Sequence, residues 1–266
     1  SVTNRLVGRV TALVFAPDGG SLLAADSLPS RQGIVRVLDA VTGEQRAEWP
    51  AHADAIYALA LSPDGERVAT AGGDRLIKLW DWKSRKELAR FEGHNGAVLG
   101  IAFNTNGTQL VSGGADRELK VWDVATREKL IALKTHQAGF NAVACSADGQ
   151  QIFAATEDGA IFRFTDLKTH TGAQSSETAQ ERQLAKVVET LPSLGVSSDG
   201  GIVLTGSHEG RIQAWNRDGK SMGESPPEMP AVAVTVAASS PTKPKSSRST
   251  SKPEVIPVRL ERKAVK

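Results

Sequence analysis

A chain of 266 residues with one cysteine, one tyrosine and two methionines is bounded first by what it lacks. Cys145 stands alone, so the chain has no internal disulfide and no Cys-cluster zinc or haem-attachment motif. Charge of neither sign is in surplus. Lys+Arg 32 against Asp+Glu 30 leaves a formal +2, no electrostatic lure for specific nucleic acid binding. No apolar run approaches the roughly 18 residues of a membrane span, and no signal peptide opens the chain. Its first residue is Ser1 rather than Met, so the missing leader assigns no compartment. Glycine, in contrast, is plentiful at 25 residues, and 40% of the chain is hydrophobic. That composition suits a turn-rich globular protein with a sizeable core.

The near-neutral total hides an asymmetry. From Lys220 onward nine basic residues face four acidic ones, while the preceding 219 residues hold 23 basic and 26 acidic. No aromatic follows Trp215, seven of the 12 prolines lie beyond Ser221, and SSPTKPKSSRSTSKP at Ser239–Pro253 is of low complexity. Such a segment cannot bury enough apolar surface to offset its ordering entropy. Residues 222–253 are therefore expected to be a disordered linker. Residues 254–266 form a tail or the start of a further domain, and residues 1–221 are the folded body.

Within that body the sequence repeats itself, which decides the fold class. The turns Pro63-Asp64-Gly65, Thr105-Asn106-Gly107 and Ala147-Asp148-Gly149 recur every 42 residues. So do His52, His94 and His136, then Asp74, Asp116 and Asp158, and then Trp80, Trp122 and Phe164. Two diverged copies flank these three, around Pro17-Asp18-Gly19 and Ser198-Asp199-Gly200, with extra residues near Leu28–Gly33 and Thr169–Gln183. In the third copy, Ala97–Phe103, Gln109–Ser112, Glu118–Trp122 and Leu130–Leu133 are short apolar or alternating runs parted by turn residues. Four strands in a period of this length make a propeller blade.

Glu92-Gly93-His94, LVSGGAD at Leu110–Asp116 and LKVWD at Leu119–Asp123 resemble the repeat of the WD-repeat (beta-transducin) family. With its linker-like tail, the chain is similar to bacterial multidomain members of that family. The resemblance covers about residues 5–219 and is most specific in the second and third copies. It implies an all-β propeller of five recognisable four-stranded blades. It also implies a structural tetrad in which a turn Asp bonds a loop His, the His meets a Ser or Thr, and that hydroxyl meets a Trp. Carried over, the second copy supplies His52, Thr70, Asp74 and Trp80, and the third His94, Ser112, Asp116 and Trp122. The fourth keeps His136 and Asp158 but has Ala154 and Phe164 in place of hydroxyl and indole. The fifth has Thr205, Glu209 and Trp215 without the His.

Ser, His and Asp together imitate a catalytic triad, which is recognised by roles rather than sequence order. A catalytic site is built once, however, whereas this set recurs copy by copy, with its hydroxyl inside a strand rather than on an exposed elbow. The spaced histidines do not converge on one centre as zinc ligands must. Ala214–Ser221 fits a relaxed phosphate-loop pattern, but Gly223, Pro226 and Pro227 forbid the helix that chemistry requires. No catalytic residue, metal or cofactor is expected.

The function expected is a non-enzymatic scaffold that binds a protein or peptide on the face bearing the His loops and Asp turns. Contact candidates there are Asp54, Tyr57, Arg75, Asn95, Arg117, Gln137, Phe140 and Asn141, since aromatic and Arg side chains are common interface anchors. The alternative is a propeller module of a larger extracytoplasmic enzyme or c-type haem electron-transfer protein whose chemistry lies elsewhere. Two ring forms stay open. One is a closed five-bladed ring whose outermost last strand comes from Asn4–Val7. The other, preferred form is part of a larger, seven-bladed ring, which leaves Val10, Leu13 and Phe15 poorly covered.

Overall fold

A computed structural model describes residues 8–27, 32–134, 138–147, 149–165, 180–197 and 199–225, and every regular element among them is a strand. His136, Gln137, Asn4–Val7 and the expected linker and tail from residue 226 onward lie outside the described residues, as does much of Thr169–Gln183.

The first sheet comprises β1 (Arg9–Phe15), β2 (Ser21–Ser27), β3 (Gly33–Asp39) and β4 (Gln45–His52). The second comprises β5 (Ile56–Leu61), β6 (Arg67–Gly72), β7 (Ile77–Asp81) and β8 (Lys86–Phe91). The third holds β9 (Val98–Phe103), β10 (Gln109–Gly114), β11 (Leu119–Asp123) and β12 (Lys129–Leu133). The fourth holds β13 (Phe140–Cys145), β14 (Ile152–Thr156), β15 (Ala160–Thr165) and β16 (Gln180–Lys186). The fifth holds β17 (Ser193–Val196), β18 (Ile202–Gly206), β19 (Ile212–Asn216) and β20 (Ser221–Ser225). Each is an antiparallel meander in chain order.

Turn chemistry dictates this punctuation. Between the first two strands of each sheet, Gly19, Gly65, Gly107, Gly149 and Gly200 take φ of 65–72°, a region glycine enters without steric cost. The residue before the glycine clamps the turn: Asp64 Oδ1 accepts the Glu66 amide at 3.0 Å, and Asn106 Oδ1 accepts that of Thr108 at 3.0 Å.

The first strands of successive sheets lie side by side, β1 on β5, β5 on β9, β9 on β13 and β13 on β17, so the sheets fan out as five blades. Four apolar clusters fill the junctions between consecutive blades. In blade 2, the face toward blade 1, here the leading face, carries Leu59, Leu61, Val68 and Trp80. Its trailing face, toward blade 3, carries the smaller Ala58, Ala60, Ala69 and Ala71 with Ile77 and Leu79. Each bulky side chain so buried contributes about 1.5–3 kcal/mol, and no blade could bury its faces alone.

One expectation needs correction. The outermost strand of the last blade is β20, pairing with β19, so Asn4–Val7 is not needed for that place. The hairpin forms because Asn216 Oδ1 accepts the Asp218 and Lys220 amides at 3.0 and 2.8 Å, and Gly219 takes φ 82°. The expected boundary at residue 221 falls inside this strand. On the leading face of blade 1 Leu13 and Phe15 are exposed, while Val10 is half-buried and Ala24, Asp26 and Arg36 on the face of Leu13 are buried.

Candidate functional site

The His loops and Asp turns meet at one end of blades 2 and 3. His52 closes β4, and Asp74 sits in the turn between β6 and β7. Their rings and carboxylates join one relay per blade: His52 Nδ1 lies 2.8 Å from Asp74 Oδ1, and Nε2 lies 2.7 Å from Thr70 Oγ1. Trp80 Nε1 donates to the same hydroxyl at 2.9 Å. In blade 3, His94 Nδ1 is 2.9 Å from Asp116 Oδ2, Nε2 is 2.8 Å from Ser112 Oγ, and Trp122 Nε1 donates to Ser112 Oγ at 2.8 Å.

Burial depresses the His94 imidazole below 6.5 despite the neighbouring Asp116, with Lys120 acting in the same direction as burial. His94 is therefore neutral near pH 7: Nδ1–H donates to Asp116, and Nε2 accepts the Ser112 hydroxyl. Burial alone would raise the Asp116 carboxyl. The Asn95 amide, His94 and Lys120 outweigh it and hold the group below 3.8. Thr70 and Ser112 are both 0% exposed and each oxygen accepts an indole N–H, so no substrate can reach either hydroxyl. The relay satisfies buried polar groups and pins the loops beside it.

Blade 4 lacks this relay among the described residues. Asp158 instead accepts Thr156 Oγ1 and Lys186 Nζ, both at 2.7 Å, and Phe164 fills the indole's place against Phe140. Blade 5 retains only the hydroxyl–indole bond, Trp215 Nε1 to Thr205 Oγ1 at 3.0 Å.

Sequence reasoning missed two lysines that belong with these networks. Lys120 is 1% exposed, with Nζ 2.6 Å from Glu118 Oε2 and donating to the Gly93 carbonyl. Lys78 reaches the Ala51 carbonyl at 2.6 Å, over the Trp80 ring. Their signal was the shared place in IKLWD and LKVWD, 42 residues apart.

The contact candidates divide. Arg75 and Arg117 are exposed at the turn tips, with φ of 69° and 66°, and among the described residues neither guanidinium has an ion-pair or hydrogen-bond partner. Blades 4 and 5 place Gly159 and Gly210 there, both at φ 82°. Asn95 is exposed, its amide held by Asp116 at 2.8 Å, and Asp54 is half-buried in the loop after β4. Tyr57 and Asn141 are the extra residues of matching bulges, in β5 between Ile56 and Ala58 and in β13 between Phe140 and Ala142. A bulge re-aims its side chain. The same place in β9 is held by half-buried Leu99, which the 42-residue period would have found. Phe140 is a correction: it is 0% exposed and packs on Phe164, so no partner can touch its ring.

Among the described residues, no group of three His, Cys, Asp or Glu side chains is placed to hold a metal ion, and no helix is long and apolar enough to cross a membrane. Cys145 lies in an apolar setting that pushes its thiol up to about 12, which keeps it a protonated, inert packing residue.

A family model described as "WD domain, G-beta repeat" matches residues 43–81, 85–123 and 127–163. The chain is similar to WD repeat-containing protein 1 of Mus musculus, 36% identical over 75 residues, which are 27% of this chain and 12% of that protein. It is similar to Actin-interacting protein 1 of Drosophila melanogaster, 34% identical over 79 residues, 29% of this chain and 12% of that one. Coronin-7 of Mus musculus matches at 33% over 76 residues, 29% of this chain and 8% of that one. The matched part thus spans about an eighth or less of these curated relatives. All three are animal proteins, and the expected kinship with bacterial multidomain members is not borne out. A solved structure of the WD40 repeats of RRP9 superposes with a TM-score of 0.68 at 21% identity, covering 81% of this chain and 63% of that chain.

Proposed function

The chain carries WD40 repeats arranged as five propeller blades, and on that premise we propose that it binds a protein or peptide through the face bearing its His loops and Asp turns. WD40-repeat proteins serve as protein-interaction scaffolds, and one relative is named for interacting with actin, so protein is the ligand class to test first. The observation that carries the choice of face is the pair of guanidiniums of Arg75 and Arg117, which stand exposed at the turn tips with no ion-pair or hydrogen-bond partner among the described residues. Left-handed arginines also stand on the opposite face, at Arg85 and Arg127, but there Arg127 Nη2 donates to the Leu88 carbonyl at 3.1 Å. The same two blades add half-buried Tyr57 and Leu99, the bulge residues of β5 and β9, and exposed Asn95. No chemistry is assigned to the relay, and the reading is not enzymatic.

The test compares partners retained by the immobilised chain from an extract of its source organism. Arg75→Gly with Arg117→Gly copies what blades 4 and 5 already use, so folding is preserved while both guanidiniums go. Arg85→Gly with Arg127→Gly makes the same backbone change at φ of 61° and 67° on the opposite face. Retained proteins should be lost with the first pair and kept with the second. Equal retention by both variants, or loss with the second pair alone, refutes the choice of face.

A further inference from the structure

The third strands of blades 1 to 4 bring matching residues to their trailing faces at the 42-residue period: Val37, Leu79, Val121 and Arg163. The first three are 5%, 3% and 2% exposed. Each faces an aliphatic partner on the outermost strand, Val37 opposite Ala47, Leu79 opposite Ala89 and Val121 opposite Ile131. Blade 4 puts Arg182 opposite Arg163 instead. Two guanidiniums thus share one face at the junction with blade 5, in the place where the other junctions hold apolar pairs.

Like charges directly opposite each other on paired strands destabilise a sheet. Little on the page of contacts offsets them. Arg163 Nη1 donates to the Arg217 carbonyl in the β19–β20 turn at 3.2 Å, and Arg182 Nη1 lies 3.8 Å from Asp218 Oδ1, whose side chain is 69% exposed. An exposed pair at that distance adds little. Arg163 Nε is buried with no hydrogen-bond partner among the described residues, a penalty that a solvated surface arginine escapes. The turn has no room to shift toward blade 4, since a Cβ on Gly219 would lie 1.8 Å from the Leu184 carbonyl. We propose that Arg163 and Arg182 form an anion site at the junction of blades 4 and 5 that takes a phosphate group. Two planar forks suit an anion that presents several oxygens in different directions, as phosphate does and a single carboxylate does not. An oxygen accepting from Arg163 Nε satisfies the orphaned donor, and its negative charge relieves the repulsion between the two cations. The β19–β20 turn stands away from the His loops, so the proposal is independent of the protein-binding face argued above.

The experiment uses the full 266-residue chain near neutral pH, with inorganic phosphate, glycerol phosphate and acetate as separate probes against potassium chloride at matched ionic strength. Titration calorimetry reads binding, and thermal unfolding reads its linkage to folding. Phosphate should bind the parent and raise its melting temperature by roughly 2 °C or more above chloride. Arg163→Val with Arg182→Ile copies the pair that blade 3 carries at the same place. That variant should bind phosphate more weakly by about tenfold or more and lose the thermal rise, while melting no lower than the parent in chloride. Arg182→Gln, at a side chain already 52% exposed, should show the same weakening and serves where the double variant fails to fold. Response to glycerol phosphate makes the ligand a phosphate ester, and response to inorganic phosphate alone makes it the free ion. No binding by the parent, undiminished binding by either variant, or an equal response to acetate overturns the proposal. So does a double variant that melts below the parent in chloride, because the arginine pair is then a structural tie to the Arg217 carbonyl.

Discussion

At the residue scale, the energetics turn on buried polar groups that stay paired. Asp116 satisfies the buried His94 ring and the exposed Asn95 amide together, so Asp116→Ala leaves the His94 Nδ1–H buried without its partner. The expected cost is about 1–3 kcal/mol, the usual penalty for a buried group left unpaired. Asp158→Ala removes only the more exposed contacts to Thr156 and Lys186 and should cost less. Urea midpoints of the two variants check this, and a larger loss at Asp158 contradicts the account. Acid should weaken the fold in two stages. The folded His94 titrates below 6.5, so between that lowered value and 6.5 the unfolded chain holds more protons and a falling pH favours it. Asp74 and Asp116, held below 3.8, add a second loss as pH falls through their folded values. Urea midpoints should therefore drop from pH 7 to pH 5 and drop again below pH 4. A midpoint that rises through pH 6 would show that His94 is charged when folded.

At the element scale, the turns decide where strands stop and how blades lie. Gly219 sits in the β19–β20 turn at φ 82°, and a Cβ there would lie 1.8 Å from the Leu184 carbonyl of blade 4. Gly219→Ala therefore meets both backbone strain and a fixed neighbour, and a loss of 2 kcal/mol or more in chemical denaturation is expected. Retained stability would mean that this turn is not packed against β16. Strand positions were legible because their code is local: alternation sets the strand and Asp-Gly or Asn-Gly sets the reversal. The third copy shows it, where Gln109–Ser112 and Leu130–Leu133 differ from β10 and β12 by one or two terminal residues. Bulges were not legible. The extra residue in β5, β9 and β13 leaves no mark in the alternation, so Tyr57 and Asn141 were found as loop neighbours and Leu99 was missed.

At the scale of the whole molecule, stability is shared between neighbours. Each apolar cluster belongs to two consecutive blades and none spans three, so a blade's burial depends on what stands beside it. The β1 pair Leu13 and Phe15 and the β5 pair Leu59 and Leu61 occupy matching strand positions and differ chiefly in their neighbours.

The sequence by itself determined the period, the four strands per blade and the complete relays of blades 2 and 3, because turn glycines, strand alternation and the 42-residue spacing act within one repeat. It also showed that Ala154 and Phe164 dismantle the relay of blade 4. Only the tertiary structure decided that Phe140 is core, that Lys120 is buried with Glu118, and that Arg75 and Arg117 hold left-handed backbones. The reason is physical: burial and side-chain direction are set by bulges and by the adjoining blade, and neither is written in the residue itself.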